Sequence, residues 1–318
     1  VREDKMGAYL LRRGIGLGLT LFLISVAVFL VINVLPGDPA QVVLGMEADP
    51  ATYQAMRARL GLDRPIMTRY FDWLAGALRG DLGRSLQQGI PVSELISTRM
   101  EVTLPLSGLA ALLAIGVSIP LGVLTAAHHN RIWDYVGRFI LQLGMIIPEF
   151  WAGIILILIF SVRLHVLPAG GFPGWETGGR GLLALFLPAV ALSLPRAAVL
   201  GRTVRGAMIE ILGEEYVQAA RGKGLPERRV LYRCALRNAL LPVVTLSGLL
   251  GAQLVAGSIL IENVFSLPGV GRLAFQAIGA RDLPLVQGTV VVIAALIAVL
   301  NFGVDLTYGL LDPRIRYR

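Results

Sequence analysis

The 318 residues include one cysteine, Cys234, and three histidines, His128, His129 and His165. A single cysteine excludes an intrachain disulfide, and the scattered histidines do not make a zinc ligand set. Charge is also scarce: 16% of residues are Asp, Glu, Lys or Arg, where a soluble domain carries about 25%. The glycines around Lys223 do not follow G-x-x-x-x-G-K-[ST], so there is no phosphate-cradling loop. Neither H-E-x-x-H nor G-x-S-x-G occurs, and no nucleophile, base or metal set converges. The sequence carries no visible catalytic machinery.

What the chain does have is apolar surface. It is 55% hydrophobic, with a mean hydropathy of +0.69. Gly14–Leu35, Val102–Ala127, Ala239–Ile261 and Leu283–Val304 contain no Asp, Glu, Lys or Arg. Each exceeds the roughly 20 residues that cross a bilayer core. Phe139–Val162 is interrupted only by Glu149, and Gly181–Gly201 only by Arg196. An all-α membrane protein with six transmembrane helices is predicted, over 14–35, 102–127, 139–162, 181–201, 239–261 and 283–304. The first run is too long for a signal-peptide core and no small-x-small site follows it, so it reads as a retained span.

The basic residues set the expected orientation. With the N-terminus in the cytoplasm, the inside segments 1–13, 128–138, 202–238 and 312–318 carry 17 Lys and Arg. The short outer loops 163–180 and 262–282 carry 4. Loop 36–101 is too long to vote. The net charge of +8 then follows from topology, and no nucleic-acid partner is needed to explain it.

Within loop 36–101, Asp49 and Pro50 predict a helix start, with an end near Leu60 before Gly61. A second helix is predicted over Ile66–Leu78 with Gly80 as its stop. Its Tyr70 and Trp73 suit either the outer membrane interface or a cap packed on the bundle. Pro91–Met100 reads as a third short helix leading into the second span. In the later outer loop, Gly269 and Gly271 are expected to give backbone freedom, with a short helix over Arg272–Ile278.

Two sets of residues invite a functional reading. Between the fourth and fifth spans, Glu214 and Glu215 open a short helix and Arg221 and Lys223 close it, as the helix dipole favours. Gly224 is predicted to take the left-handed capping conformation, and Pro226 prevents continuation. Tyr216, Ala219 and Ala220 share a face, and the two alanines would let another protein approach. The second set is polar: Glu149, Arg196 and, at the edge of the last span, Asp305. Charges in a bilayer tend to face a cavity or a partner, so these either line a polar path or form structural pairs.

Several motifs in order resemble the peptide-transporter branch of bacterial ATP-binding-cassette (ABC) importer permeases, the B-type subunit of dipeptide and oligopeptide systems. They are Leu35-Pro36-Gly37-Asp38-Pro39, Leu60-Gly61-Leu62-Asp63-Arg64-Pro65, Arg79-Gly80-Asp81-Leu82-Gly83-Arg84-Ser85, Val264-Phe265-Ser266-Leu267-Pro268-Gly269-Val270-Gly271 and Leu311-Asp312-Pro313-Arg314-Ile315-Arg316. Gln218-Ala219-Ala220 followed by Gly224 resembles the family's coupling signature, with Gln in the acidic position.

The resemblance implies a type I importer transmembrane domain over 14–311, with both termini cytoplasmic, in the bacterial inner membrane. It implies that Glu214, Glu215, Tyr216, Gln218, Ala219, Ala220, Arg221 and Gly224 contact an ATPase. Phe265, Pro268, Gly269 and Gly271 would gate the outer mouth or touch a binding protein. Implied partners are a second, similar permease, two ABC ATPases carrying ATP and Mg, a periplasmic or lipid-anchored binding protein, and membrane lipid. No cofactor or metal is expected in this chain. Peptides are the expected cargo, with nickel complexes, glutathione or sugars as alternatives within the same branch. A competing reading is an ion-coupled secondary transporter in which Glu149 and Asp305 carry protons.

Overall fold

The computed structural model describes residues 2–34, 39–44 and 49–311. Two compact units emerge, one from 1–103 with 268–302 and the other from 104–267 with 303–318. Among the described residues, five helical stretches are long and apolar enough to cross a membrane: Leu11–Asn33, Val92–Ala127, Gly179–Leu212, Leu246–Val264 and Leu283–Val304. A sixth crossing is made only if a bent pair, Ile132–Ile146 with Glu149–Arg163, counts as one.

In the first unit, helix α1 (Arg2–Val34) leads to α2 (Pro39–Leu44), α3 (Pro50–Arg59) and α4 (Ile66–Ala77). The Asp49 carboxylate accepts from the amides of Ala51 and Thr52 at 3.1 and 3.4 Å, with Pro50 in the first turn. This satisfies donors that a helix start would otherwise leave open. Gly61 and Gly80 then end α3 and α4 with positive φ, as the sequence predicts. Tyr70 is buried on α4 between Phe29 and Phe71, its hydroxyl 2.8 Å from Ser25 Oγ on α1. Of the two placements open for α4, packing against a spanning helix is the one observed for Tyr70, while Met67 and Phe71 remain exposed.

The predicted helix 91–100 is not separate; it is the first part of α5 (Val92–Ala127). Its Val92 and Ile96 share a core with α12 (Val270–Gly279) and the start of α13 (Leu283–Leu311). Thr103 Oγ1 accepts from the Val270 amide at 2.9 Å and so caps α12 from a neighbouring helix.

The second unit holds the rest of α5 with α6 (Ile132–Ile146), α7 (Glu149–Leu156), α8 (Gly179–Leu212), α9 (Glu215–Gly222), α10 (Glu227–Arg229) and α11 (Leu236–Val264). Its core is rich in small residues, including Ala114, Ala126, Ala197, Ala235 and Ala239 around Leu200, Val204 and Met208. Small residues let apolar helices approach closely where lipid offers no hydrophobic driving force. The apolar run 139–162 is not one helix: α6 and α7 meet at 105°. Pro148 disfavours helical backbone at Ile147, which takes φ −72 and ψ 120. Beyond α7 the chain continues as a π-helical turn, Ile157–Arg163.

Candidate functional site

Helix α8 ends at Leu212, and α9 is held on three sides. Its Val217 is fully buried. The Tyr216 hydroxyl accepts from Asn238 Nδ2 at 2.8 Å and donates to the Cys234 carbonyl at 3.4 Å, tying α9 to the start of α11. Gln218 Nε2 donates back to the Leu212 carbonyl at 3.0 Å. At the far end Gly224 has φ +74. Its amide donates to the Arg221 carbonyl at 2.9 Å, and the Leu225 amide to Ala220 at 3.3 Å. Those two bonds make a Schellman cap, which a left-handed residue at Gly224 requires. The Arg221 guanidinium reaches the Glu227 carboxylate at 2.8 Å. The hydrogen bond from Arg221 holds the Glu227 pKa below the usual carboxylate range and raises that of Arg221.

What remains on the outer face of α9 is short. Glu215, Gln218, Ala219 and Gly222 are exposed, Ala220 is half-buried, and Tyr216 is 45% exposed. Glu214 precedes the helix with its carboxylate making no capping bond. The predicted face of Tyr216, Ala219 and Ala220 therefore exists on a helix whose position is fixed from below. A π-helical turn, Val230–Ala235, joins α10 to α11.

The polar residues of the spans meet only in part. Arg196 on α8 forms an ion pair with Glu149 at the start of α7, their side chains 12% and 13% exposed. Arg196 Nη2 also donates to the Gln253 carbonyl of α11 at 2.9 Å. A Cβ at Gly257 would come within 2.6 Å of Arg196 and 2.7 Å of Glu149, so only glycine leaves room for the pair. A cavity of about 440 Å³ lies beside them, lined by Ile147, Pro148, Pro195, Val199, Leu250 and Leu260 among others. Asp305 lies on α13, with its side chain outside the described residues. Motif residues 35–38 and 312–316 are likewise outside them.

Expectation and structure part company at the turn after α11. Phe265 is 1% exposed, and a Cβ on Gly153 would touch its ring at 2.9 Å. Its carbonyl accepts from the Gly171 amide at 2.9 Å. The Phe265 side chain is thus a packing element, not a surface for a partner. Gly269 and Gly271 are buried; Gly269 is extended at φ −100 and neither takes a positive φ. The left-handed residue of this turn is Ser266, at φ 53. Pro268 is half-buried. The predicted short helix is present as α12.

Three buried carboxylates, Asp134, Glu262 and Asp282, escaped the sequence reading. The Asp134 side chain is fully buried on α6 and accepts from Arg205 Nε and Nη2 of α8 at 2.7 and 2.9 Å, and from the Asn130 amide at 3.0 Å. Arg138 and His129 lie at 3.5 and 3.4 Å from it, their side chains still 43% and 47% exposed. Asp282, before α13, accepts from the Ser85 hydroxyl and from the amides of Leu86 and Gln87. Its place just ahead of an apolar run was the available signal, since an N-capping Asp belongs there. Nothing in the sequence pairs Asp134 with Arg205. Among the described residues no cluster of three His, Cys, Asp or Glu side chains is placed to hold a metal.

Comparison with known proteins places these features in context. Residues 118–317 match the family described as binding-protein-dependent transport system inner membrane component, and residues 6–107 match its N-terminal counterpart. A chain of Sinorhizobium fredii named "Probable peptide ABC transporter permease protein" is 37% identical over 313 residues, covering 98% of this chain and 100% of that one. The glutathione transport system permease protein GsiC of Escherichia coli is 36% identical over 310 residues, covering 98% and 99%. Among solved structures, an inward-facing form of the MetNI methionine ABC transporter aligns with a TM-score of 0.57 at 18% identity. It covers 69% of this chain and 96% of that one. At that identity the likeness concerns the fold.

Proposed function

Because the chain belongs to the binding-protein-dependent transport system inner membrane component family, we propose that it forms half of a peptide path across the bacterial inner membrane, driven by ATPases on separate chains. It is a multi-pass membrane transport subunit of an ABC importer. A second permease would complete the path, two ATPases would bind ATP and Mg beneath it, and a periplasmic or lipid-anchored binding protein would deliver cargo. The N- and C-termini would lie in the cytoplasm.

One observation carries the mechanism: α9 is exposed on one face and bonded rigidly to α8 and α11 on the others. Seated in a groove of an ATPase, it would transmit displacement to the two membrane helices at its ends. Ala219 and Ala220 leave the close approach that such seating needs. Coupling also requires the ATPases to bind the inward and outward arrangements with different free energy, because state-blind docking shifts no equilibrium. Cargo named for the relatives, peptide in one case and glutathione in the other, supports a peptide-backbone substrate. The ion-coupled alternative is disfavoured at Glu149, whose carboxylate is engaged by Arg196.

The test is uptake of a labelled dipeptide and of labelled glutathione by cells producing the complete transporter, with a cysteine at position 219 for cross-linking. Peptide uptake that requires ATP, together with a 219-to-ATPase cross-link, is expected. Uptake driven by an ion gradient in the isolated chain would overturn the proposal.

A further inference from the structure

Helix α8 holds the bent pair α6 and α7 at two points, one on each side of the bend at Ile147-Pro148. At the first, Arg205 grips the fully buried carboxylate of Asp134 on α6 with two donors, Nε at 2.7 Å and Nη2 at 2.9 Å. The same carboxylate accepts from the Asn130 amide at 3.0 Å, which ties in the turn between α5 and α6. At the second, Arg196 pairs with Glu149 in the first turn of α7. The two arginines are separated by about 14 Å along α8, at the usual rise per residue. Between them the helices touch: a Cβ on Gly201 would meet Leu141 of α6 at 2.6 Å, and one on Gly144 would meet Ala198 of α8 at 3.0 Å.

A carboxylate with no exposure has given up its water, so parting it from its partner leaves an uncompensated buried charge. Two charge-assisted bonds from a planar guanidinium fix direction as well as distance. Sliding or turning α6 along α8 would break the Arg205 fork, and swinging α7 away from α8 would break the pair at Glu149. Arg205 also stands about two turns before the end of α8 at Leu212, whose carbonyl receives Gln218 of α9. A displacement entering at α9 thus reaches Arg205 before it reaches the bend. We propose that Asp134 and Arg205 are positioning residues for transport: they make α6 and α7 travel with α8 when an ATPase moves α9. The wall of the cavity of about 440 Å³ at Ile147, Pro148 and Glu149 is then carried along. This rests on the reading of α9 as the ATPase contact. Without the fork, α8 would shift over a stationary α6 and leave that wall behind.

Spin labels at Ile132→Cys on α6 and Glu210→Cys on α8, both exposed positions, test this in the assembled transporter, with Cys234→Ser removing the native thiol. With the fork intact, the distance between the labels is expected to stay the same with and without ATP. Arg205→Lys keeps the charge but replaces the fork by a single point, and Arg138 at 3.5 Å keeps Asp134 compensated. In that variant the distance is expected to change with nucleotide. Cargo moved per ATP hydrolysed is expected to fall about tenfold, the worth of one charge-assisted hydrogen bond. Asp134→Asn, nearly the same shape without the charge, serves if Arg205→Lys does not assemble. A label distance that follows nucleotide with the fork intact would overturn the proposal. So would a variant with normal uptake per ATP that still cross-links position 219 to the ATPase; α9 would keep its role and the fork would lose its own. Absence of the 219 cross-link in a transporter that still pumps would overturn both.

Discussion

Gly213–Ala235 and Phe265–Asp282 each connect long apolar helices, and they dispose of their side chains in opposite ways. The first buries Val217 beneath α9 and Val230 and Ala235 in the turn that follows, and leaves Glu215, Gln218, Ala219 and Gly222 outside. The second buries Phe265, Leu267, Gly269, Val270, Leu273 and Asp282. In the first, hydrogen bonds fix the helix from below, so its outer face is free to meet another molecule. In the second they serve the chain's own packing: Asp282 holds the loop at Ser85, and Thr103 caps α12. A connecting segment can act as a lever only if its contacts to its own chain are rigid and its remaining face is unspent. Gly213–Ala235 satisfies both conditions.

The largest effect that would break this contrast is at Phe265. Phe265→Ala is expected to destabilise the purified transporter by about 3–5 kcal/mol, as for other buried aromatic truncations, measured by thermal unfolding in detergent. A loss within about 0.5 kcal/mol, the range of surface changes, would return Phe265 to the class of exposed contacts.

Asp282→Ala comes next, because it strips an acceptor from the Ser85 hydroxyl and from two amides. A cost of about 2 kcal/mol is expected, with faster hydrogen exchange at the Leu86 and Gln87 amides. Unchanged exchange there would show that Asp282 does not hold the loop.

On the lever side, changes should cost little stability and much transport. Gly224→Val forces a β-branched residue into left-handed backbone, about 1–2 kcal/mol, and should tilt α9 off its cap. Uptake is expected to fall while the ATPases continue to hydrolyse ATP. Ala219→Leu should cost under about 0.5 kcal/mol and still reduce uptake by crowding the outer face. Normal uptake in both variants would remove α9 from the coupling route.

Legibility in the sequence followed the range of the interactions. Asp49 with Pro50, Gly61, Gly80 and Gly224 were all readable, since caps and stops are decided within a few residues. So were the apolar runs, apart from the bend at Ile147-Pro148, where the proline was visible but a 105° turn was not. Glycine at 269 and 271 misled, because there glycine serves burial and not a left-handed φ. Asp134 with Arg205, Asp282 with Ser85, and Glu149 with Arg196 depend on helices brought together by folding. Spacing along the chain holds no record of those pairings. The exposed face of α9 was legible because every residue on it lies within one helical turn of the next.

The smallest effect sharpens the comparison at its exposed end. Arg221 and Glu227 are 34% and 56% exposed, and their bond spans the Gly224 turn between α9 and α10. Folding lowers the Glu227 pKa, chiefly through the hydrogen bond from Arg221. A carboxylate with a depressed folded pKa lends its stabilisation above its unfolded pKa, about 4 for Glu. The contribution is lost as the pH falls through the lower, folded value. Water screens so exposed a pair, which limits it to about 1 kcal/mol or less. Thermal unfolding of wild type and Glu227→Gln should therefore differ slightly at pH 7 and converge as the pH drops below about 4. At pH 7, 1 M salt should shrink the difference, because charges this exposed are screened within about 3 Å. A gap that persists in acid, or that ignores salt, would mean the turn is held by its backbone cap alone. Gly224 and the Ala220 carbonyl would then set the angle of α9 with no help from the ion pair.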